Sequence, residues 1–352
     1  MRTNPAPSGR RVCIPLVDTQ REIEVSQPEV ASALRPSAAY ALVNAIMKKL
    51  LISLFAISSL FYGNHIYAED NQELYFIDAH SQIDHQVSGI NLVLERMADN
   101  NVKTTLLATR GKRNWRDILE WNSSHPDKII PLIRTKGKHY QNNSREYYKS
   151  IKRQIKTGKF QGPAEILIYH AQKGHKAPEV GVDLTDKRVS ILLDVALANA
   201  WPFIIHIEFA SLYGDKRKQH MNDLKELLNK YPKHPFVLIH MGQLQPDEVS
   251  NLLENYSNLH FITSHVDPLT VNNSRQPWVN IFDGYQFKKA WKTLFIAYPE
   301  RFIFALDNVW ADHWEYSYNE KIEYWRKALS KIPQSTSRLI AHGNAERLWN
   351  LK

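Results

Sequence analysis

Short apolar runs alternate with longer amphipathic segments from residue 75 to the end of the chain. The runs are rich in β-branched residues, and the longer segments repeat apolar residues at positions i, i+3 and i+4, which is typical of helices packed on one face. The runs predict strands at 75–79, 104–109, 129–135, 164–170, 202–209, 235–242, 259–265 and 301–307. The longer segments predict helices at 90–101, 145–157, 188–200, 220–232, 246–256 and 287–299. This alternation indicates βαβ units.

Eight such units in about 280 residues, without a Gly- or Ser-rich linker, predict an α/β fold in which the strands close into one (β/α)8 TIM barrel. An open, doubly wound parallel sheet is the alternative. No Gly-x-Gly-x-x-Gly follows any predicted strand, so the sequence favours the barrel.

The N-terminal part of the chain does not continue this pattern. Residues 1–46 show no sustained period and predict a disordered leader or a misplaced start. Residues 47–68 combine two lysines, an apolar run and the tripeptide Ile66-Tyr67-Ala68, which is typical of a secretory signal peptide cut after Ala68. The apolar run is shorter than the roughly 20 residues that span a bilayer, which makes an uncleaved anchor the lesser alternative. We therefore expect a single barrel domain at 69–352 in the periplasm or outside the cell, without stable membrane insertion after cleavage.

Cys13, the only cysteine, lies in the leader. The predicted mature chain therefore has no thiol, which suits an oxidising compartment and excludes disulfides, cysteine nucleophiles and zinc–thiolate sites. The formal charge of +9 is spread along the chain without a dense basic block, which favours a small anionic molecule over nucleic acid as the partner. The oligomeric state stays open, a homo-oligomer included.

Imidazoles, carboxylates and one guanidinium recur where the predicted strands end. They are His80, Arg134, Glu165, His170, His206, Glu208, His240, His265 and Asp307. A single strand histidine is more often a hydrogen-bonded core residue than a ligand. Because the active sites of TIM barrels lie at the carboxyl ends of the strands, the recurrence predicts one shared site.

Five motifs resemble the amidohydrolase superfamily, in particular its amidohydrolase-related branch of metal-dependent hydrolases and decarboxylases. They are Asp-x-His at 78–80, IHIE at 205–208, LIHMG at 238–242, ALDN at 305–308 and HGNAERLWNL at 342–351. The resemblance implies that His80, His206 and Asp307 bind a divalent metal ion. It also implies that Asp307 and His240 are catalytic, with His240 binding the metal or positioning water and substrate.

The sequence departs from the family at Gln82, which stands where the second histidine of His-x-His is expected. If the strand continues, residues 80 and 82 share a face. A neutral amide oxygen is a weaker ligand than an imidazole, so we expect weaker metal binding unless Glu165 supplies a further ligand. Imidazoles with a carboxylate suit zinc, with manganese or iron as alternatives.

Four residues are predicted to contact the substrate: Arg134, Glu208, His265 and Trp310. Glu208 has a second interpretation, as the partner that orients His206. Aromatic and cationic side chains in the loops that follow the strands favour a flat, anionic substrate.

The sequence thus predicts a metal-dependent hydrolase in which metal-activated water attacks a C–N or C–O bond of a small anionic substrate. Two alternatives stay open. One is a metal-dependent decarboxylase of an aromatic or unsaturated acid, and the other is a ligand-binding barrel whose metal site has degenerated.

Overall fold

The computed structural model of the chain describes residues 73–172 and 178–351. The predicted leader, signal peptide and cleavage site lie outside the described residues. Within the described ranges, no helix combines the length and the apolar character needed to cross a bilayer.

Eleven strands lie in the described part of the chain. They are β1 Phe76–Ile83, β2 Val102–Thr109, β3 Ile129–Pro131, β4 Ile166–His170, β5 Val180–Gly181, β6 Phe203–Ile207, β7 Phe236–Leu238, β8 Leu259–Ile262, β9 Phe282–Asp283, β10 Gln286–Phe287 and β11 Phe302–Ile303. All eight predicted strands are confirmed, most of them shorter than predicted. Strands β5, β9 and β10 are short additions that the apolar runs do not predict.

The strands form two main sheets that join into a barrel. Strands β1, β2 and β3 pair in that order, and the second sheet runs β11-β8-β7-β6-β4-β5 with only β5 antiparallel. A parallel bridge between Ile133 and Pro163 joins the sheets at one seam. At the other seam Ala79 N donates to Phe304 O at 3.1 Å and Asp307 N donates to His80 O at 2.9 Å. These bonds close the predicted TIM barrel.

The helices cover the outside of the barrel. They are α1 Ile90–Asp99, α2 Arg116–Ser124, α3 Lys138–Gln141, α4 Arg145–Lys156, α5 Lys187–Asn199, α6 Gly214–Lys230, α7 Pro246–Asn255, α8 Pro268–Asn273, α9 Lys289–Ala297, α10 Tyr318–Leu329, α11 Gln334–Arg338 and α12 Asn344–Trp349. The six predicted helices are confirmed, and α2 and α10 are the longer ones that were not predicted.

Helix α5 shows how the sequence directs this packing. Its N-cap residue Asp186 accepts the backbone N–H of Arg188 at 2.8 Å, which satisfies one of the amides at the start of the helix. Val189, Leu192 and Leu193 lie on one face and are buried. The apolar period therefore sets the face that the helix turns towards the strands.

An irregularity in β1 decides which of its side chains face the barrel interior. Ile77 and Ala79 belong to a small apolar cluster that also contains Leu106, Ile204 and Val237 from neighbouring strands. Between Asp78 and Ser81 the pairing with β2 shifts, so that β1 carries one extra residue. Such a bulge reverses the alternation of side chains.

Candidate active site

The bulge in β1 turns His80 and Gln82 towards the same interior as Ile77 and Ala79. Buried polar contacts hold it in place. Asp78 Oδ2 accepts the Ser81 hydroxyl at 2.5 Å, and Asp78 Oδ1 accepts the backbone N–H of Leu306 at 2.9 Å. Burial raises the pKa of Asp78 to about 6, although these hydrogen bonds oppose the shift. The first strand is thus fixed to the last one at the height of the candidate site.

Asp307 is the meeting point of three imidazoles. Its Oδ1 lies 3.2 Å from His80 Nδ1, and its Oδ2 lies 3.6 Å from His240 Nε2 and 3.6 Å from His265 Nε2. Burial alone raises the pKa of this carboxyl, but the contact with His80 and the imidazoles around it outweigh burial and hold the pKa well below its usual range. Asp307 is therefore ionised at neutral pH.

Glu165, directly before β4, is the second carboxylate of the site. Its Oε2 lies 2.5 Å from His206 Nδ1 and 3.9 Å from His240 Nε2. Its Oε1 contacts the ammonium group of Lys136 and accepts from Gln82 Nε2 at 3.2 Å. Glu165 therefore stands both among the imidazoles, as a ligand would, and in an ion pair.

Glu208 orients the imidazole of His206. His206 Nε2 lies 3.1 Å from Glu208 Oε1, and Glu208 Oε2 accepts the backbone N–H of Ala171 at 2.7 Å. Both ring nitrogens of His206 therefore face a carboxylate. A metal ion bound between Nδ1 and Glu165 would leave the proton on Nε2, where Glu208 accepts it.

His240 is held with Nε2 towards the carboxylates. Its Nδ1 lies 2.8 Å from Ser264 Oγ, and its ring stacks on His265 with centroids 4.3 Å apart. Burial, followed by the neighbouring His265 and His206, lowers the pKa of His240 well below its ordinary value. The ring is therefore neutral, which is the form that binds metal ions.

Three of these residues adopt a left-handed backbone conformation. The φ angles are 56° at His240, 58° at His265 and 48° at Asp307. Side-chain-bearing residues rarely adopt this region, and such residues cluster at functional sites. Each of the three follows a strand end, where the chain turns sharply out of the barrel and aims the side chain at the centre.

Gln82 presents its amide nitrogen to both carboxylates. Nε2 donates to Asp307 Oδ1 at 2.9 Å as well as to Glu165, while Oε1 accepts from Arg110 Nη1 at 3.1 Å. The amide oxygen thus faces a guanidinium group, and the role of Gln82 as a ligand stays a prediction. Arg110 directly follows β2 and was not predicted, although its position at the carboxyl end of a strand is the signal that predicts the other site residues.

The donor atoms suit a divalent metal ion. The triplets Glu165/His206/His240, His80/Glu165/Asp307 and His240/His265/Asp307 each place one donor atom per residue within 4.8 Å of the others. Two ligands about 2.1 Å from a tetrahedral ion lie about 3.4 Å apart, close to the contacts of Asp307 with its imidazoles. His80 is less well placed, because its Nε2 lies 3.3 Å from Glu165 N, a hydrogen-bond contact. These triplets overlap at Glu165, His240 and Asp307, which connects His206, His240, Glu165 and Asp307 into one candidate ligand set.

The predicted substrate-binding residues separate into two groups. His265 and Glu208 lie at the centre, as described above. Arg134 donates to the carbonyl oxygens of Gly111 at 2.6 Å and Arg113 at 2.9 Å, which fastens the loop after β2. Trp310 is 41% exposed at the rim, with its ring centroid 5.8 Å from the Arg110 guanidinium carbon. Their roles towards a substrate stay predictions.

A barrel with histidines and carboxylates at its strand ends defines a class of metal-binding enzymes. The chain belongs to the amidohydrolase family, whose model matches residues 145–351. Members of this superfamily are metal-dependent hydrolases and decarboxylases. The match begins after β3, so His80, Gln82 and Arg110 lie outside it.

Comparison with solved structures found several of low sequence identity, and one of them, with a TM-score above 0.5, supports the fold. The uncharacterized TIM-barrel protein Bb4693 from Bordetella bronchiseptica is 17% identical with a TM-score of 0.52, and the alignment covers 75% of this chain and 83% of that one. 5-carboxyvanillate decarboxylase LigW from Sphingomonas paucimobilis is 14% identical with a TM-score of 0.46, and the alignment covers 80% of this chain and 100% of that one. Dihydroorotase from Campylobacter jejuni is 12% identical with a TM-score of 0.46, and the alignment covers 82% of this chain and 87% of that one. A search of curated protein sequences found no match.

Proposed function

We propose that this protein is a metal-dependent hydrolase that uses activated water to cleave a C–N or C–O bond of a small, anionic substrate. The observation that carries the proposal is the convergence of neutral and ionised donors on one point inside the barrel. His206 Nδ1, His240 Nε2, Glu165 and Asp307 would hold the ion, which we expect to be zinc, with manganese or iron as alternatives. When bound, the ion supplies a Lewis acid that makes a neighbouring water more acidic.

The side chains around the centre have separate tasks in this proposal. Ionised Asp307 accepts a proton from water at Oδ2, the oxygen that faces His240 and His265. Ser264 holds the His240 ring so that Nε2, rather than Nδ1, faces the substrate. Glu208 fixes the ring of His206 in the same way. These fixed orientations reduce the reorganisation needed during the reaction.

Cationic side chains next to the centre support an anionic substrate. Arg110 lies against Gln82, and Lys136 lies against Glu165. Both side chains are largely shielded from water, which strengthens their charge interactions. An anionic group entering the barrel would therefore meet positive charge from the β2 and β3 loops.

Metal analysis joined to a substrate screen tests the proposal. The purified protein is stripped with a chelator, reloaded with zinc, manganese or iron, and assayed on esters, lactones, amides and aromatic acids. Metal-restored hydrolysis without carbon dioxide release supports the proposal. Carbon dioxide release instead indicates the decarboxylase, and ligand binding without turnover indicates the binding barrel.

We also propose that residues 47–68 are removed and that the mature protein, starting at Glu69, works in the periplasm or outside the cell. The signal-like composition of this segment supports the proposal. Expression in a Gram-negative host, fractionation and N-terminal sequencing test it. An active cytoplasmic protein that retains residues 1–46 would contradict it.

A further inference from the structure

A cavity of about 390 Å³ opens beside the candidate active site. Its walls come from the segment after β8 and the segment after β11. Its lining includes His265, Trp278, Asp312, His313 and Lys321. The volume is in the range of small-molecule sites.

Lys321, on helix α10, is the unusual residue in this lining. It is only 3% exposed, yet its ammonium group makes no ion pair or hydrogen bond to any of the residues that the structure describes. Lys321 lines the cavity, and its Nζ is not among the fully enclosed polar atoms without a partner in the described residues, so the ammonium opens onto the cavity rather than onto the packed core. Lys321 is therefore a cation that lacks its anion.

The charged neighbours of Lys321 do not supply that anion. Asp267 is buried nearby, but its two oxygens accept the backbone N–H of Thr270 at 2.9 Å and the Thr270 hydroxyl at 3.0 Å. Asp312 lies at the exposed edge of the cavity. Burial, with a further contribution from the charge of Lys321, lowers the pKa of His313 to about 4, so that this imidazole is neutral. Lys321 is therefore the cationic group of the cavity lining, with Asp312 at the outer edge.

The cavity is continuous with the candidate active site through two aromatic rings. His265 lines the cavity and also places Nε2 3.6 Å from Asp307 Oδ2. The Trp278 ring lies 5.0 Å from the rings of both His240 and His265. A flat molecule lying along these rings would reach from Asp307 towards Lys321.

We propose that this cavity is a substrate subsite in which Lys321 binds a carboxylate and Trp278 packs against a single aromatic ring. The inference rests on the proposed function and names its substrate class, a monocyclic aromatic acid whose carboxylate lies away from the bond that reacts. A charge-assisted hydrogen bond from a buried ammonium distinguishes a carboxylate from its neutral amide.

Binding of benzoate and its neutral counterpart benzamide, measured by calorimetry on the full chain, tests the proposal. We expect the parent protein to bind benzoate about 10-fold more tightly than benzamide, the scale of a hydrogen bond to a charged group. Lys321→Met keeps the length and apolar stem of the side chain and should abolish this preference. Lys321→Arg should retain most of it.

Two controls separate the subsite from the rest of the site. Lys327→Met changes a lysine of the same helix whose ammonium pairs with Glu323 at 2.6 Å, and it should behave like the parent. Parent protein stripped of metal with a chelator should still bind benzoate, because the subsite does not need the metal ion. The subsite can therefore be present even if the metal-dependent reaction is absent.

Three results would overturn the inference. They are equal affinity of the parent for benzoate and benzamide, an unchanged preference in Lys321→Met, or loss of benzoate binding by the chelator-stripped parent while Lys321→Met still binds. Urea unfolding of Lys321→Met checks that the variant folds. Removal of an unpaired buried charge predicts that the ligand-free variant is at least as stable as the parent.

Discussion

The two parts of the barrel contribute different chemistry to one centre. The part from β4 onward, within the family match at 145–351, provides His206, His240, His265 and Asp307, with Glu165 before the strand. The part from β1 to the loop after β3 provides His80, Gln82, Arg110 and Lys136. In the first set, imidazoles face carboxylates. In the second set, the Gln82 amide contacts Asp307, Lys136 contacts Glu165, and Arg110 contacts the amide oxygen of Gln82.

Gln82 therefore affects more than the number of metal ligands. Its amide nitrogen donates to Asp307 and Glu165, and Lys136 neutralises Glu165 further. Each of these contacts competes with a metal ion for the same oxygens. We infer that the β4–β11 part determines whether an ion binds, while the β1–β3 part reduces how tightly it is held.

Of the substitutions that test this difference, Asp307→Asn should have the largest effect on metal affinity. It removes a charged ligand atom and the counter-charge of three imidazoles, so metal affinity should fall by more than about 100-fold, the upper end of the effects seen for residues that only support ligands. A chelator titration followed by metal analysis measures the loss. Asp283→Asn, at an exposed position of β9, is the control. Unchanged metal content in Asp307→Asn would refute the assignment of the centre.

Glu208→Gln tests whether the β4–β11 part also depends on its supporting contacts. The substitution keeps the shape but weakens acceptance of the His206 Nε2–H, so metal affinity should fall between about 10- and 100-fold. The same titration measures it, with circular dichroism as the check on folding. An effect equal to that of Asp307→Asn would instead indicate that Glu208 is itself a ligand.

Gln82→His tests the β1–β3 part. An imidazole should raise metal affinity by about 10-fold, the scale of changes beside a metal site. Since the Gln82 oxygen faces Arg110, the new ring would lie beside a guanidinium, and Gln82→His combined with Arg110→Gln should show the larger gain. Equal metal retention in the parent and both variants would mean that position 82 does not face the ion.

His260→Phe should have the smallest effect on metal binding and should change only the pH dependence of stability. His260 lies in β8 away from the centre, and burial together with Arg301 and Arg347 lowers its pKa to about 3. The unfolded chain therefore binds a proton that the folded chain excludes between about pH 3 and 6.5, so this residue makes stability rise with pH in that range. The variant should reduce that rise by up to about 1.4 kcal/mol per pH unit in urea unfolding. His139→Phe, at an exposed ring, is the control; identical slopes in parent and His260→Phe would contradict the prediction.

Much of the fold and centre could be predicted because the information is local. Runs of apolar residues mark the strands, and His206, His240 and Asp307 lie in or just beyond them. Family resemblance added their order along the chain. Trp310 and Arg134 show the limit of this reasoning, since their positions at strand ends do not reveal that one lies at the rim and the other binds backbone carbonyls.

The features that were not predicted depend on contacts remote in sequence. The bulge of β1 is held by Asp78 and Ser81 through bonds to the backbone of Leu306 and Asn308. Lys321 lies on the buried face of α10 with Tyr318, Ile322 and Trp325, so the helical period places position 321 towards the interior. That period does not reveal that the lysine lines a cavity.

The left-handed conformations of His240, His265 and Asp307 bear on how this chain responds to artificial selection. Glycine adopts such conformations without the steric conflict that a side chain creates. Glycine at these positions should therefore relieve local strain and remove the chemistry at the same time. A variant library selected for heat resistance alone should therefore become enriched in glycine at these three positions and lose activity. A library selected for turnover should keep the three residues and gain its stabilising substitutions elsewhere.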